Sequence, residues 1–114
     1  MDDCIFCKII NKEIPASIVY EDERMIAFDD INPQAPVHVL LIPKKHYPSL
    51  NEIPEDKKDV LSHLLLKARE IAREKEIGER GYRIVLNTAR ESGQDVLHIH
   101  FHLLGGRQMS WPPG

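Results

Sequence analysis

Residues 94–106 read Gln94-Asp95-Val96-Leu97-His98-Ile99-His100-Phe101-His102-Leu103-Leu104-Gly105-Gly106. Three of the chain's six histidines alternate here with large apolar residues. In a β-strand, successive side chains point to opposite faces. A strand over this segment would place the histidines on one face. The other face would carry the apolar residues Leu97, Ile99, Phe101 and Leu103. Because the apolar face belongs in a core, we expect the histidine face to line a functional site.

Three chemical roles fit such a face, and the strand pattern alone does not separate the last two. The imidazoles could be structural, although each buried ring then needs partners for its polar nitrogens. They could together bind one catalytic zinc ion, with Asp95 as a nearby carboxylate. A neutral imidazole could also be a nucleophile at phosphorus near pH 7, while its neighbours donate hydrogen bonds to phosphate oxygens. The preceding loop, Ser92-Gly93-Gln94, could bring backbone N–H groups close to that phosphate.

Composition favours one ordinary globular domain. The 114 residues allow a modest core, so we expect a single domain over residues 1–114. Hydrophobic residues make up 42% and charged residues 29%, and the net charge is −3. This balance argues against binding to a nucleic-acid polymer or a membrane surface. No apolar run approaches the roughly 20 residues of a membrane span. The start, Met1-Asp2-Asp3, lacks the basic residues of a signal peptide, and we therefore expect a cytoplasmic protein.

The pattern of the remaining chain predicts an α+β fold. A short helix near residues 4–10 is followed by a hairpin over residues 17–28 and a mostly apolar, central strand at Val37–Pro43. An amphipathic helix is predicted from about residue 54 to 77, with Gly78 as its stop. A fourth strand at residues 82–87 then precedes the histidine strand. Without a βαβ rhythm, two helices and five strands indicate a mainly antiparallel sheet.

The two cysteines, in Cys4-Ile5-Phe6-Cys7, are too few for a disulfide scaffold. The spacing could belong to a redox pair, but no strand precedes it, as a thioredoxin-like site would require. The same spacing supplies half of a zinc knuckle. Two unmetallated thiols are the third possibility.

The segment His98-Ile99-His100-Phe101-His102-Leu103-Leu104 resembles the His-φ-His-φ-His-φ-φ signature (φ, apolar) of the histidine-triad (HIT) nucleotide-binding family. Further stretches resemble its HINT, or purine nucleoside phosphoramidase, branch; they are residues 6–10, 13–16, 31–36, 42–46 and 105–114. The resemblance covers essentially the whole chain. It implies a HIT-like fold whose five-stranded sheet pairs with that of a second copy, giving a ten-stranded sheet in a homodimer.

The resemblance also implies a reaction, hydrolysis of the P–N bond of purine nucleoside 5′-phosphoramidates. In the branch the middle histidine is the nucleophile, so His100 would attack the α-phosphorus and carry the nucleotide until water releases the nucleoside monophosphate. His102 and His38 match the histidines around the phosphate, and His98 matches the first histidine of the triad. The alternatives are a dinucleoside polyphosphate hydrolase or nucleotidyl transferase of the same superfamily, and a nucleotide-binding interaction module.

Further positions match the family's substrate contacts. On the nucleoside side they are Phe6, Ile9, Ile14, Phe28, Asp29, Asp30 and Ile31. On the phosphate side they are Asn87, Gly93, Gln94 and Asp95, beside His100 and His102. Asp30 matches the ribose contact, since a carboxylate can accept hydrogen bonds from both ribose hydroxyls. Trp111 lies in the tail that, in the family, helps to build the partner's substrate site.

Asp95 departs from the family pattern, because animal members carry a serine there. A serine hydroxyl can donate a hydrogen bond to a leaving group, whereas an ionised aspartate cannot. Asp95 could instead favour a cationic leaving amine such as a lysine conjugate. Zinc-binding members of the family complete their cysteine pair with two histidines. The resemblance therefore implies a structural zinc ion, with no organic cofactor, and its ligands would be Cys4, Cys7, His46 and His98.

Overall fold

The computed structural model describes residues 3–114. Met1 and Asp2, which belong to the acidic start discussed above, lie outside the described residues. Five strands form one sheet: β1 Ile18–Glu21, β2 Met25–Asp29, β3 Val37–Pro43, β4 Tyr82–Leu86 and β5 Phe101–Gly105. Their spatial order is β1-β2-β3-β5-β4, and every neighbouring pair is antiparallel. The predicted α+β class is confirmed, with β3 at the centre of the sheet.

Two α-helices cover opposite faces of this sheet: α1 Ile5–Ile10 and α2 Asp59–Glu74. The apolar stripe of α2 packs on one face; its buried residues are Leu64, Ala68, Ile71 and Ala72. On the other face, Phe6 and Ile9 of α1 pack against Ile26, Phe28 and Leu40. Residues of one strand alternate between these two cores, as the pleat requires. Within residues 3–114, no helix has the length and hydropathy needed to cross a membrane.

Helix α2 is shorter than its sequence pattern indicates. The segment after Pro54 forms a separate 3₁₀ turn, Glu55–Lys57, before α2 begins at Asp59. At the other end the left-handed residue is Glu76, with φ 62°, so the helix stops before the expected Gly78. The chain then folds back and buries Ile77 against β5. A Cβ on Gly105 would lie 2.5 Å from Ile77 Cδ1, which explains why the last residue of β5 is glycine.

The histidine segment is a regular strand only from Phe101 onward, a correction to the prediction of one continuous strand. The last pair between β3 and β5 is Leu41 with Phe101, so continuing the register would place Pro43 opposite Ile99. Because a proline has no N–H to donate, the ladder of hydrogen bonds does not continue there. Ile99 instead donates its N–H to Tyr47 O at 2.7 Å. Ile99, Phe101 and Leu103 are buried as predicted, but Leu97 is 65% exposed and does not join the core.

Candidate active site

The three histidines form part of a continuous row of imidazole rings. His98 and His100 lie in the extended segment before β5, and His102 is the second residue of β5. Ring centroids are 4.8 Å apart for His46 and His98, 5.0 Å for His100 and His102, and 5.2 Å for His38 and His102. The Phe6 ring packs in T-shaped geometry against both middle members, with centroid distances of 5.8 Å to His98 and 5.1 Å to His100. The row thus extends from Cys4 and Cys7, at the start of α1, to His38 on β3.

His100 is 2% exposed, and its tautomer is set by the backbone. Its Nδ1 lies 2.9 Å from His98 O, and a carbonyl oxygen can only accept, so Nδ1 carries the proton. The lone pair of the neutral ring is therefore on Nε2. Asp95 Oδ1 lies 3.6 Å from that nitrogen, beyond a normal hydrogen bond. The hydrogen bond therefore fixes the tautomer that a nucleophilic imidazole needs.

His38 and His102 form a relay that ends in a proton donor. The N–H of Gln34 donates to His38 Nδ1 at 3.0 Å, so the His38 proton is on Nε2. His38 Nε2 then donates to His102 Nδ1 at 2.9 Å, which leaves His102 Nε2 protonated. Burial lowers the pKa of both rings, although Asp30 partly opposes the effect on His38. The relay therefore offers a neutral N–H donor to an anion without lysine or arginine.

A cavity of about 500 Å³ opens beside this relay, which is within the usual range for small-molecule sites. Its apolar wall comes from α1, β2 and the intervening loop. The predicted residues that line it are Phe6, Ile9, Ile14, Phe28, Asp29, Asp30, Ile31, His38, Asp95 and His102. The lining residues that sequence analysis did not single out are Ile5, Pro15, Ala16, Asn32, Gln34, Leu40 and Val96. Four of these, Ile5, Pro15, Asn32 and Val96, are adjacent in sequence to a predicted residue.

Five other predicted contact residues lie outside the cavity's lining within residues 3–114: Asn87, Gly93, Gln94, His100 and Trp111. Gln94 braces its loop, because its side chain accepts from Ala89 N at 2.8 Å and donates to Pro48 O at 2.7 Å. Gly93 has φ 87° and ends the 3₁₀ turn Arg90–Ser92. Trp111 is largely exposed, with the Arg83 guanidinium 5.9 Å from its ring. A direct substrate contact by these residues stays a prediction.

At the other end of the row, two thiols and two imidazoles converge. The ligand atoms of Cys4, Cys7, His46 and His98 all lie within 4.8 Å of one another. Cys4 Sγ is 3.4 Å from His98 Nδ1, and Cys7 Sγ is 3.4 Å from His46 Nδ1. His98 Nε2 donates to Pro43 O at 2.8 Å, so its Nδ1 lone pair faces the sulfurs. This is the donor set of a tetrahedral structural zinc site.

Electrostatics at this cluster agree with metal binding. Burial lowers the pKa of His98 to about 4 and also lowers that of His46, so both rings are neutral and have lone pairs. Burial, together with Cys4, raises the pKa of the Cys7 thiol to about 11. A bound cation reverses that effect, because a coordinated thiol is held as the thiolate. The Cys4 sulfur already accepts the N–H of Cys7 at the start of α1.

The geometry disfavours one metal ion shared by all three triad histidines. His98 Nδ1 faces the cysteines, whereas His100 Nδ1 donates to a carbonyl oxygen and His102 Nδ1 accepts from His38. A purely structural role is also a poor fit for His38 and His102, because both rings line the cavity. The first triad histidine and the other two therefore have separate chemical tasks.

Comparison with known proteins agrees with this arrangement. Residues 11–109 match the model of the HIT domain. The chain belongs to the HIT family. An uncharacterized HIT-like protein of Synechocystis sp. is 57% identical over 113 residues, which cover 99% of this chain and 98% of that protein.

Solved HIT structures share the fold over nearly the whole chain. A HIT family hydrolase from Legionella pneumophila is 51% identical with a TM-score of 0.96, covering 98% of this chain and 100% of the other. A histidine triad nucleotide-binding protein from Candida albicans is 37% identical with a TM-score of 0.83, covering 96% and 83%. The predicted family is confirmed, while assignment to its HINT branch stays a prediction.

Proposed function

We propose that this HIT protein is a hydrolase of purine nucleoside 5′-phosphoramidates that acts through a nucleotidyl intermediate on His100. The observation that carries the proposal is the 2.9 Å hydrogen bond from His100 Nδ1 to His98 O. It places the proton on Nδ1 and leaves the lone pair on Nε2, so the ring needs no general base to become a nucleophile. The HIT family hydrolase from Legionella pneumophila, with its nearly identical fold, also supports hydrolytic chemistry.

The cavity supports a nucleotide in one orientation. Its apolar wall, including Phe6 and Phe28, suits a base, and the Asp30 carboxylate can accept hydrogen bonds from ribose hydroxyls. The α-phosphate would then lie beside His100 and the relay, where His102 Nε2–H donates to a phosphate oxygen. This donor stabilises charge on the phosphate oxygens as the attack proceeds.

The reaction would proceed in two displacements. His100 Nε2 forms a bond to the α-phosphorus, the P–N bond breaks, and the leaving nitrogen takes a proton from water. A second water molecule then forms a P–O bond and gives a proton to the hydroxide left by the first step, while the bond to Nε2 breaks and returns its electron pair to the ring as the nucleoside monophosphate leaves. Two displacements at one nitrogen make a stable P–N bond easier to break than one direct attack by water.

A turnover panel tests the reaction class. Adenosine and guanosine 5′-phosphoramidates are expected to be hydrolysed faster than diadenosine polyphosphates, as measured by kcat/KM for nucleoside monophosphate release. Faster cleavage of the polyphosphates would instead favour the dinucleoside polyphosphate hydrolase. Tight binding of the monophosphate, with no turnover of any of these compounds, would favour an interaction module.

We further propose that Cys4, Cys7, His46 and His98 hold a structural zinc ion. The convergence of their ligand atoms supports this, together with the bond from His98 Nε2 to Pro43 O that orients the ring. When bound, the ion would join α1 to the segment before β5. The ring of His98 would then bind the metal. The carbonyl oxygen of His98 would accept the hydrogen bond from His100 Nδ1.

A homodimer is the third proposal, and the exposed edge of β4 supports it. The strand lies at the end of the sheet, and all its residues are only half buried. An edge strand of this kind can pair with a second copy, which would give a ten-stranded sheet. Arg69 and Arg73 of α2 line a surface cleft with Tyr82 of β4, and the half-exposed Leu66 lies one turn earlier on the same helix face.

Sedimentation at micromolar concentration tests the dimer. We expect twice the monomer mass for the native protein, and we expect Leu66→Glu to weaken association by about 2 kcal/mol because it places a charge in an apolar contact. Leu50→Glu is the matched control, since Leu50 is also an exposed leucine (39%, against 50% for Leu66) but lies on a separate 3₁₀ turn, Leu50–Glu52. A native protein that sediments as a monomer contradicts the proposal.

A further inference from the structure

The cavity has an unusual charge for a site that receives a phosphate. Its charged lining consists of three carboxylates, Asp29, Asp30 and Asp95, and no lysine or arginine lines it within residues 3–114. Its two imidazoles, His38 and His102, have pKa values lowered by burial and are therefore neutral donors rather than cations. Anion sites commonly use arginine or lysine. A substrate with several negative charges would meet net repulsion here.

The three carboxylates are not equivalent. Asp29 accepts a hydrogen bond from Ser17 Oγ at 3.1 Å, and Asp30 accepts one from Asn32 N at 2.8 Å. Asp30 also faces the relay, because its Oδ2 lies 3.5 Å from His38 Nε2. Asp95 is different, because its side chain is 79% exposed while one oxygen lies 3.6 Å from His100 Nε2. It places a negative charge at the open end of the site, next to the nucleophile.

The leaving group must pass this carboxylate. With the nucleoside against the apolar wall and the α-phosphorus at His100 Nε2, we expect the other substituent on phosphorus to extend towards solvent on the side of the exposed Asp95. Asp95 Oδ1 is then within a few ångströms of the first atoms of that substituent. A carboxylate cannot donate a hydrogen bond, so it acts on the leaving group mainly through its charge.

We propose that Asp95 is a specificity-determining residue that favours leaving amines with a second, positively charged group and disfavours anionic leaving groups. This inference rests on the proposed phosphoramidate hydrolysis and names the leaving-group class. The attraction acts across solvent, so each unit charge changes kcat/KM only a few-fold, and we expect on the order of tenfold between a cationic and an anionic leaving group. Polyphosphate leaving groups, with several negative charges, are disfavoured most.

Three matched substrates isolate the charge effect. They are the AMP amidates of ethylenediamine, n-propylamine and β-alanine, whose leaving amines are similar in size but end in a cationic, a neutral and an anionic group. The readout is the ratio of kcat/KM for the cationic substrate to that for the anionic one. Because it is a ratio, any uniform effect of a substitution on the chemical step cancels.

The variants are Asp95→Asn and Asp95→Ser, with Glu91→Gln as the control. Glu91 is an exposed acid on the nearby 3₁₀ turn Arg90–Ser92 and does not line the cavity as described by residues 3–114. We expect the ratio to be about ten for the native protein and for Glu91→Gln, and to fall towards one in both Asp95 variants. Added salt should lower the native ratio but not that of the variants.

The possible failures are distinguishable. If the native protein hydrolyses these amidates and the ratio is the same in the Asp95 variants, the role of Asp95 is wrong and the proposed function stands. If the Glu91→Gln ratio falls equally, general surface charge, not Asp95, selects the leaving group. If no amidate is hydrolysed, both the proposed function and this inference are wrong.

Discussion

Replacing His100 with alanine is expected to lower kcat for an AMP amidate by about 10⁴-fold or more, because no other group can take over as the nucleophile. Its Nε2 has the free lone pair, whereas the relay leaves His102 Nε2 protonated and the His98 ring faces the cysteines. Nucleotide binding should persist, since the apolar wall and Asp30 are unchanged. The measurements are single-turnover kinetics and equilibrium binding of AMP.

Because His100 is buried, a second variant separates chemistry from folding. His100→Gln keeps a polar side chain of similar length but has no nucleophilic nitrogen, so it should unfold near the native temperature and still be inactive. His63→Gln is the matched control, because His63 lies on α2 and pairs with Asp22, away from the cavity. Its turnover should equal that of the native protein.

Trapping the intermediate gives an independent readout. With a slowly released nucleotide analogue, the native protein and His63→Gln should gain the mass of one nucleotidyl group, located by peptide mapping at His100. The His100 variants should gain none. Native-level turnover by His100→Ala, or a label on another residue, would contradict the covalent mechanism.

Much of the fold follows from side-chain patterns that are visible in the sequence. The mostly apolar run Val37–Pro43 becomes the central strand, because both faces of the sheet are covered by helices; its one polar side chain, His38, faces the cavity. The stripe from Leu64 to Ala72 becomes the buried side of α2. The alternation of His100 and His102 with Phe101 and Leu103 places the chemistry opposite the α2 core.

The rest depends on backbone atoms, which every residue type shares and which leave no trace in a sequence pattern. The Gln34 N–H, the Pro43 carbonyl and the His98 carbonyl decide which nitrogen of each imidazole carries a proton. The end of the ladder at Pro43 likewise depends on a register that pairs it with Ile99, and this breaks the expected strand. Leu97 is exposed for the same reason, since it lies beyond the last paired residues.

The link between the proposed zinc site and the proposed nucleophile was only partly visible in the sequence, because the resemblance placed His98 in both sets but gave no sign of its backbone bond to His100. One residue, His98, belongs to both: its ring lies among the cysteines, and its carbonyl oxygen accepts from His100 Nδ1. A change that displaces the His98 backbone therefore removes the group that holds the His100 tautomer. Stability and catalysis should respond together when the cluster is disturbed.

Removing zinc, or one of its cysteine ligands, is therefore expected to have the largest effect on stability. An ion that binds only the folded chain adds its binding free energy to folding, and its loss should cost at least about 3 kcal/mol, or roughly 10 °C or more in Tm. Protein purified without chelator should contain close to one zinc per chain by elemental analysis. Excess chelator should lower the Tm of the native protein. Cys4→Ala should have this lower Tm even without chelator.

Treating Cys4→Ala with chelator shows whether a change in Tm is caused by loss of the ion from this cluster. Chelator should shift the native protein and His63→Gln equally but should leave Cys4→Ala unchanged, because that variant has no ion to lose. The same treatment should reduce turnover of an AMP amidate in the native protein, since the His98 carbonyl is no longer held in place. Absence of near-stoichiometric zinc, with an unchanged Tm in Cys4→Ala, would show that the two thiols and two imidazoles converge without a metal.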